Sequence, residues 1–425
     1  MYGHDPSQSR TNIAETTITR ETVARLGRTW EIPDLVGVTG TPTVVDGVGY
    51  FTDWTGQVWA VRADTGEKVW TSPIGGMIVG APAVDGDGVY ASSGSTLYRL
   101  DRTTGELVWK AATHDHPQAQ ISASPVVVDD VVLQGTASFE NVLVKDEYLF
   151  RGSIGAFDAA TGEQRWNFYA TPGDESAGAG AGIWSTPAVD LERGLLFVGT
   201  GQGLSEPTAP MVDSLLAIDY RTGELAWSTQ FTYPDVFSAA NPMGKDADVG
   251  ASPNLWTSDR RDLVGAGDKG GTYHALDRET GEVVWETELT PGSVFGGEIG
   301  SAAFVDGMIV ASSNVGDPAS NAPTNVTRVF GLDPATGEKR WTSAEIPGMI
   351  FAPVSAVPGV AFVGTDQGKL LALDATTGET LWSHDAPAKT GCGPSIVEGR
   401  VLWGYGFFLF GAPGPGGILA FDVAS

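Results

Sequence analysis

The sequence predicts an all-β fold, an eight-bladed β-propeller closed by its own N-terminal strand. Three observations predict it. One sentence recurs in seven copies: a small or apolar residue, an Asp, two variable residues, Thr-Gly-Glu, two more residues and Trp. The copies end at Trp70, Trp109, Trp166, Trp227, Trp285, Trp341 and Trp382. Successive Trp residues are 39, 57, 61, 58, 56 and 41 residues apart, which suits a four-stranded blade and not a helical solenoid. The last unit, Ile418-Leu419-Ala420-Phe421-Asp422, stops at its Asp, and the missing Trp strand stands at the other end as Leu26–Ile32, with Trp30 40 residues before Trp70. The N-terminus therefore completes the C-terminal blade and protects edges that would pair with other chains. Such a ring needs every blade, so residues 1–425 are read as one domain.

Each element has a local reason. The only helical signal is a short turn around Glu21–Arg25. Inner strands open on small residues and Pro, as in Gly40-Thr41-Pro42, Gly80-Ala81-Pro82, Ser124-Pro125, Thr186-Pro187 and Ser252-Pro253. Small residues suit the crowded strand nearest the axis, and Pro is tolerated where no ladder donor is needed. The Asp of the repeat ends the third strand. Asp-X-X-Thr-Gly then forms a tight hairpin, with the carboxylate accepting turn N–H groups and Gly taking positive φ. The Trp opens the outgoing strand, where its body packs between blades and its indole N–H needs a partner.

Composition narrows the function. The formal charge is −27, from 52 acidic and 25 basic residues. That excludes a nucleic-acid surface, which must neutralise phosphates, and disfavours anionic membranes. It suits a basic soluble partner such as a small cytochrome. No apolar run approaches the roughly 20 residues of a membrane span. Cys392 is the single cysteine, so no intrachain disulfide forms, and Cys-X-X-Cys-His for covalent haem is missing. The five His residues show no zinc spacing; His114-Asp115-His116 reads as a loop. No signal peptide is visible, so the expected location is periplasmic or secreted if one has been removed, and cytoplasmic otherwise.

The blades ending at Trp166, Trp227, Trp285 and Trp341 carry extra residues, and insertions in adjacent blades build one binding face. Their contents are acidic and polar: Glu140, Asp146, Glu147, Asp174, Glu175, Asp213, Asp235, Asp246, Asp248, Asp268, Lys269, Asn314 and Asp317. Carboxylates and amides converging on an axis are the ligands of a hard cation; the same residues also suit solvated loops.

The repeat resembles the tryptophan-docking repeat of pyrroloquinoline-quinone (PQQ) dehydrogenases, and within them the polyvinyl-alcohol-dehydrogenase-like group. Tyr2-Gly3-His4-Asp5 with Ser9–Asn12, Gly37–Pro42, Phe150–Ser153, Trp184–Asp190 and Asp248–Pro253 carry the resemblance over essentially the whole chain. It implies calcium and PQQ oxidising an alcohol. Glu147, four residues before Arg151-Gly152, matches a calcium ligand; Gln202, after Gly199-Thr200-Gly201, stands where the family has Asn. Asp248 matches the catalytic base and a further metal ligand. Trp184 matches the cofactor floor, and Lys269, Asn314 and Thr39 match cofactor contacts. The implied partners are a small or polymeric alcohol and an external electron acceptor. Two departures stand out: the family's vicinal cysteines are missing, and Gln202 is one methylene longer than Asn. A second expectation is therefore a non-redox propeller whose funnel takes another small molecule. An assembly scaffold, the third, would carry a lipidation Cys near the N-terminus.

Overall fold

The computed structural model describes residues 2–173, 176–406 and 415–424, and the insertion residues Asp174 and Glu175 lie outside them. Eight antiparallel sheets surround one axis. Blade 1 runs Thr43–Val45, Val48–Thr52, Gln57–Arg62 and Lys68–Pro73, from axis to rim. Blades 2 to 7 repeat that order from Ala83, Val126, Ala188, Asn254, Ala303 and Ser355. Blade 8 takes three strands from the C-terminal end and its outer strand, Leu26–Leu35, from the N-terminal end. Trp30 pairs with Ala420, which is the closure the truncated repeat predicts. Blades 3 and 6 each add a fifth short strand, Ala119–Gln120 and Ile346–Pro347, from their insertions. The predicted helical turn is a single 3-10 turn, Val23–Arg25.

The repeat works as its chemistry suggests. All eight indoles, from Trp30 to Trp382, donate to a backbone carbonyl of the next blade at 3.0 to 3.3 Å. The last of these bonds, Trp382 to the Leu26 carbonyl, crosses to the N-terminal strand. The Asp of the repeat accepts two turn N–H groups in six copies, for example Asp101 from Thr103 and Thr104 at 2.9 and 2.8 Å. The first copy has Arg62 in that place, and its turn lacks the carboxylate bonds but keeps the backbone bonds from Gly66 to the Arg62 carbonyl, 2.9 Å, and from Arg62 to the Glu67 carbonyl, 2.8 Å. The repeat glycine does two jobs. Gly378 sits at φ +74°, and a methyl group there would meet the Trp341 ring at 2.4 Å. Each Thr-Gly turn is thus a seat for the preceding blade's indole, open only to a residue without Cβ.

A second closure was not legible in the sequence. Residues 6–12 run across the inner strands as a belt. The N–H groups of Val189, Leu255, Phe304 and Ala356 donate to the carbonyls of Pro6, Ser7, Ser9 and Arg10 at 2.7 to 2.9 Å. Asn12 then donates to the Ile396 carbonyl at 2.9 Å. Five successive blades, 4 to 8, are stitched by one short segment. Ile18, Val23 and Leu26 continue from it into the core between blades 7 and 8.

Deleting residues 1–25 removes the belt but keeps the closing strand. The shortened chain is expected to melt cooperatively at a lower Tm than the full chain. Calorimetry checks it, and a Tm within about 1 °C of the full chain would deny the belt any share in stability.

Candidate functional site

The candidate site lies where inner strands begin and second strands end, which antiparallel pairing brings to one end of each blade. Trp184 precedes Ala188–Asp190, and Asp246 and Asp248 precede Asn254–Ser258. Gln202 follows Leu195–Gly199, and Lys269 follows Arg261–Gly267. The insertions of blades 3 and 4 and of the connection into blade 5 knit together over this end through the bridges Arg151–Gly180, Gly180–Gly203 and Gly203–Val236. The expected shared face is thus one continuous backbone network.

Four predicted residues meet. Lys269 Nζ donates to Asp248 at 2.9 Å and to Asp246 at 2.7 Å. The backbone N–H of Gln202 also donates to Asp248. The Gln202 carboxamide, oriented with its nitrogen toward Asp248, donates at 2.6 and 3.1 Å. Trp184 is half-buried, and a methyl group at Gly250 would come within 1.7 Å of its ring. Glycine at 250 therefore lets the strand run against the indole. A methyl at Gly201 would lie 3.1 Å from Asp248 and 3.2 Å from the indole nitrogen, which sets both beside one backbone position.

Three predicted residues lie elsewhere. Asn314 is buried with its amide saturated: it donates to Phe295 and Ile350 carbonyls at 3.2 Å and accepts from Thr327 and the Ile350 N–H at 2.6 and 2.8 Å. Thr39 donates to the Val79 carbonyl at 3.0 Å and accepts from Trp54 at 2.8 Å. Glu147 is exposed and lines a groove of about 560 Å³ with Tyr148, Arg151 and Glu206. The carboxylate of that loop that folds inward is Glu140, fully buried, which accepts the N–H groups of Leu149 and Phe150 at 3.0 and 2.8 Å and pairs with Lys145. The Arg-Gly spacing picks out Glu147, but the loop turns back on Glu140 because two backbone donors must be satisfied there. Among the described residues, no group of three or more His, Cys, Asp or Glu is placed to hold a metal ion.

Around Asp248 the structure gathers buried carboxyls: Asp213, Asp235, Asp246, Asp268 and Glu298. Two cations serve them. Lys269 pairs with Asp246 and Asp248, and His274 pairs with Asp268 and Glu286, both at 2.8 Å. Phe231 stacks on the His274 ring at 3.8 Å. Burial lowers Lys269, but the charges of Asp246 and Asp248 outweigh it and hold the ammonium above its ordinary value. Burial likewise opposes His274, yet its two carboxylate partners raise it to about 9. Asp213, Asp235 and Asp246 are all raised, first by burial. Nearby carboxylates push them further, Asp268 on Asp213 and Asp248 on the other two. Glu298, wholly buried, rises well above its usual value for the same reason. A carboxyl without a cation in such a place keeps its proton. Sequence reasoning found the acids but missed His274 and Glu298. The signal for His274 was cross-strand pairing, since it stands opposite Glu286 in blade 5.

Comparisons with known proteins bear on the fold and the family. The profile of a family described as glucose/ethanol/alcohol dehydrogenase, beta-propeller domain, matches residues 111–301. A second, described as outer membrane protein assembly factor BamB, matches residues 325–424. The chain is 29% identical to a polyvinylalcohol dehydrogenase of Sphingopyxis sp. (strain 113P3), over 85% of this chain and 65% of that protein. It is 26% identical to the quinohemoprotein alcohol dehydrogenase of Comamonas testosteroni, over 95% of this chain and 73% of that protein. The crystal structure of the Comamonas enzyme superposes with a TM-score of 0.81 over 99% of this chain and 80% of that one, at 21% identity. BamB from Moraxella catarrhalis superposes less closely, TM-score 0.64 at 16% identity, over 93% of this chain and 99% of that one. The match spans less than two thirds of the Sphingopyxis protein's length.

The cluster predicts a pH dependence. A raised carboxyl favours the fold fully below its unfolded value, 3.8 for Asp, and loses that contribution as pH rises through about 7 for Asp213 and Asp246. The His274 contribution is present below 6.5 and lost as pH rises through about 9. Both act in one direction, so Tm is expected to fall steadily from pH 5 to pH 9. Asp235→Asn, which cannot ionise, should make the fall shallower; an unchanged slope in that variant would remove Asp235 from the effect.

Proposed function

This chain is a PQQ alcohol dehydrogenase-like eight-bladed propeller, and from that premise we propose that it oxidises an alcohol at Trp184, Asp248 and Lys269. The observation that carries the reading is the Asp248–Lys269 pair standing beside an indole that packs against the backbone of Gly250. These residues suit a flat, anionic aromatic guest. Trp184 offers a stacking surface, and Lys269, held on Asp246 and Asp248, supplies a cation to the same cluster. When bound, the quinone supplies the two-electron acceptor for the hydride that leaves the alcohol carbon.

The protein's own part is proton chemistry. Asp248 takes the hydroxyl proton of the alcohol as general base. Lys269 and Gln202 fix its orientation through their hydrogen bonds. Lys269 holds Asp246 beside it in an ion pair, and Asp235, raised by burial and by the Asp248 charge, is the neighbour that keeps its proton. Catalysis occurs on the end of the ring covered by the insertions, so a long or polymeric alcohol can lie across the face. The surplus of acidic residues favours a basic electron acceptor, such as a cytochrome, and the relatives suggest a periplasmic setting.

Calcium does not fit this donor set as arranged. Gln202 turns its nitrogen to Asp248, Lys269 occupies the Asp246 and Asp248 oxygens, and Glu147 faces solvent. A cation site needs several oxygens at 2.3–2.6 Å. The same mismatch favours the second reading, a funnel of this family that takes another small molecule without redox chemistry.

The deciding experiment mixes the protein with PQQ, with and without Ca²⁺, and follows quinone absorbance and dye-linked oxidation of simple and polymeric alcohols. Binding with turnover supports the oxidase reading. Binding of neither cofactor, with no turnover, moves the protein to the second reading. In an active preparation, Asp248→Asn is expected to lower kcat by about 10² to 10⁴-fold, the usual share of a general base. Near-wild-type kcat would remove Asp248 from catalysis. Trp184→Ala should weaken quinone binding, measured by equilibrium dialysis, while leaving Tm nearly unchanged.

A further inference from the structure

Arg10 is a buried cation without an anion. It is 3% exposed, and a guanidinium stays charged at any pH a protein survives. Its partners are all neutral: the Val354 carbonyl at 2.7 Å, the Ser355 hydroxyl at 2.7 Å, the Tyr2 carbonyl and, at 3.5 Å, Thr41. The Tyr2 ring lies 4.4 Å from it. The titratable groups beside it are the Tyr2 phenol, the Cys392 thiol and the His4 imidazole, which lines a cavity with Arg10; burial pushes the thiol up to about 12. Arg278, also buried, pairs with Asp190 at 2.9 Å. A charge buried without a counter-ion costs several kcal/mol, on the order estimated for real proteins.

Arg10 lines a cavity of about 300 Å³ on the axis, between the belt and the inner strands of blades 1, 2, 7 and 8. Its walls are rich in donors. His4, Asn12, Thr41 and Ser395 bring an imidazole, an amide and hydroxyl groups to it, and among the described residues no Asp or Glu lines it. Backbone donors add to these. Val44, Val84 and Ile396 are the middle residues of three-residue inner strands. Val189, Phe304 and Ala356 hold the same register in blades 4, 6 and 7 and donate their N–H groups to the belt. The belt carbonyls reach blades 4 to 7 only. In blades 1, 2 and 8 the corresponding N–H groups therefore face the cavity. Successive N–H groups around a concavity, backed by a cation, make an anion site.

We propose that this axial cavity binds a small oxyanion, held by Arg10 and the inward N–H groups of Val44, Val84 and Ile396. The volume takes an oxyanion with several waters, at roughly 30 Å³ per water. The site shares no residue with the candidate catalytic site, so it stands whether or not the chain oxidises alcohols. Its occupant would tie the belt to blades 1 and 2, which the belt does not reach, and would add to its single bond to blade 8.

The test is titration calorimetry of the full chain with sodium sulfate, at ionic strength held constant with sodium chloride, together with Tm. The wild type is expected to bind one sulfate and to melt higher with it. Ser395, whose side chain lines the cavity, provides a variant that spares Arg10. Ser395→Asp should weaken sulfate at least about tenfold, which is about 1.4 kcal/mol. It should also raise the sulfate-free Tm, because its carboxylate supplies the missing counter-charge; Ser395→Ala should keep sulfate binding. Absence of sulfate binding in the wild type overturns the proposal, and so does equal binding in Ser395→Asp. Arg10→Lys should lose binding if it folds, and the Ser395 pair decides the matter if it does not.

Discussion

The bond from each outer-strand indole to the next blade's carbonyl is the contact that makes eight separate sheets a ring. Trp70, Trp109, Trp285 and Trp341 are buried and the other four are half-buried; an unpaired donor at a buried one would cost about 1–3 kcal/mol. The next blade must therefore present a carbonyl at one fixed place, and the Asp-X-X-Thr-Gly turn presents it. The turn's glycine lets the indole lie flat on the backbone, as Trp341 does on Gly378. Seven such contacts define an open arc. The eighth, from Trp382 to the Leu26 carbonyl, needs the N-terminal strand in place. Closure thus couples the first residues of the chain to the last.

The belt breaks the near-symmetry of this ring. Blades 4 to 8 have their inner N–H groups or carbonyls engaged by residues 6–12, while blades 1 and 2 face a cavity. The long insertions break the symmetry again at the candidate catalytic end. There the blades are linked through loop backbone, from Arg151 to Val236. The two asymmetries overlap in blade 4. Its inner strand holds the belt at Val189, and Trp184 stands four residues before that strand.

Electrostatics decides what the candidate site is ready to do. Buried carboxyls outnumber the cations among them, so several keep their protons, and Lys269 and His274 sort which ones are paired. Asp248 is held by three donors from two residues, a geometry that fixes its direction. Glu298 lies under Gly267 with no room for a side chain there: a methyl would meet its carboxyl oxygen at 2.0 Å. The cluster is consequently a packed part of the core as much as a polar site, and its protonation is tied to the stability of blade 5.

The sequence by itself determined the blade number, the closure and the place of every docking Trp, because these rest on short-range chemistry repeated at a fixed period. The family resemblance marked Trp184, Gln202, Asp248 and Lys269, and the fold brings these four together beside inner-strand and second-strand ends. Tertiary structure alone decided which side chain of an insertion turns inward, and the choice of Glu140 over Glu147 depended on the donors of Leu149 and Phe150 in the folded loop. It decided that Asn314 spends its amide between blades 6 and 7. It decided the course of the belt and the isolation of Arg10, whose partners lie more than 340 residues away in the chain at Val354 and Ser355. A local pattern has no access to such pairings, since only the closed ring brings the first residues of the chain onto the axis.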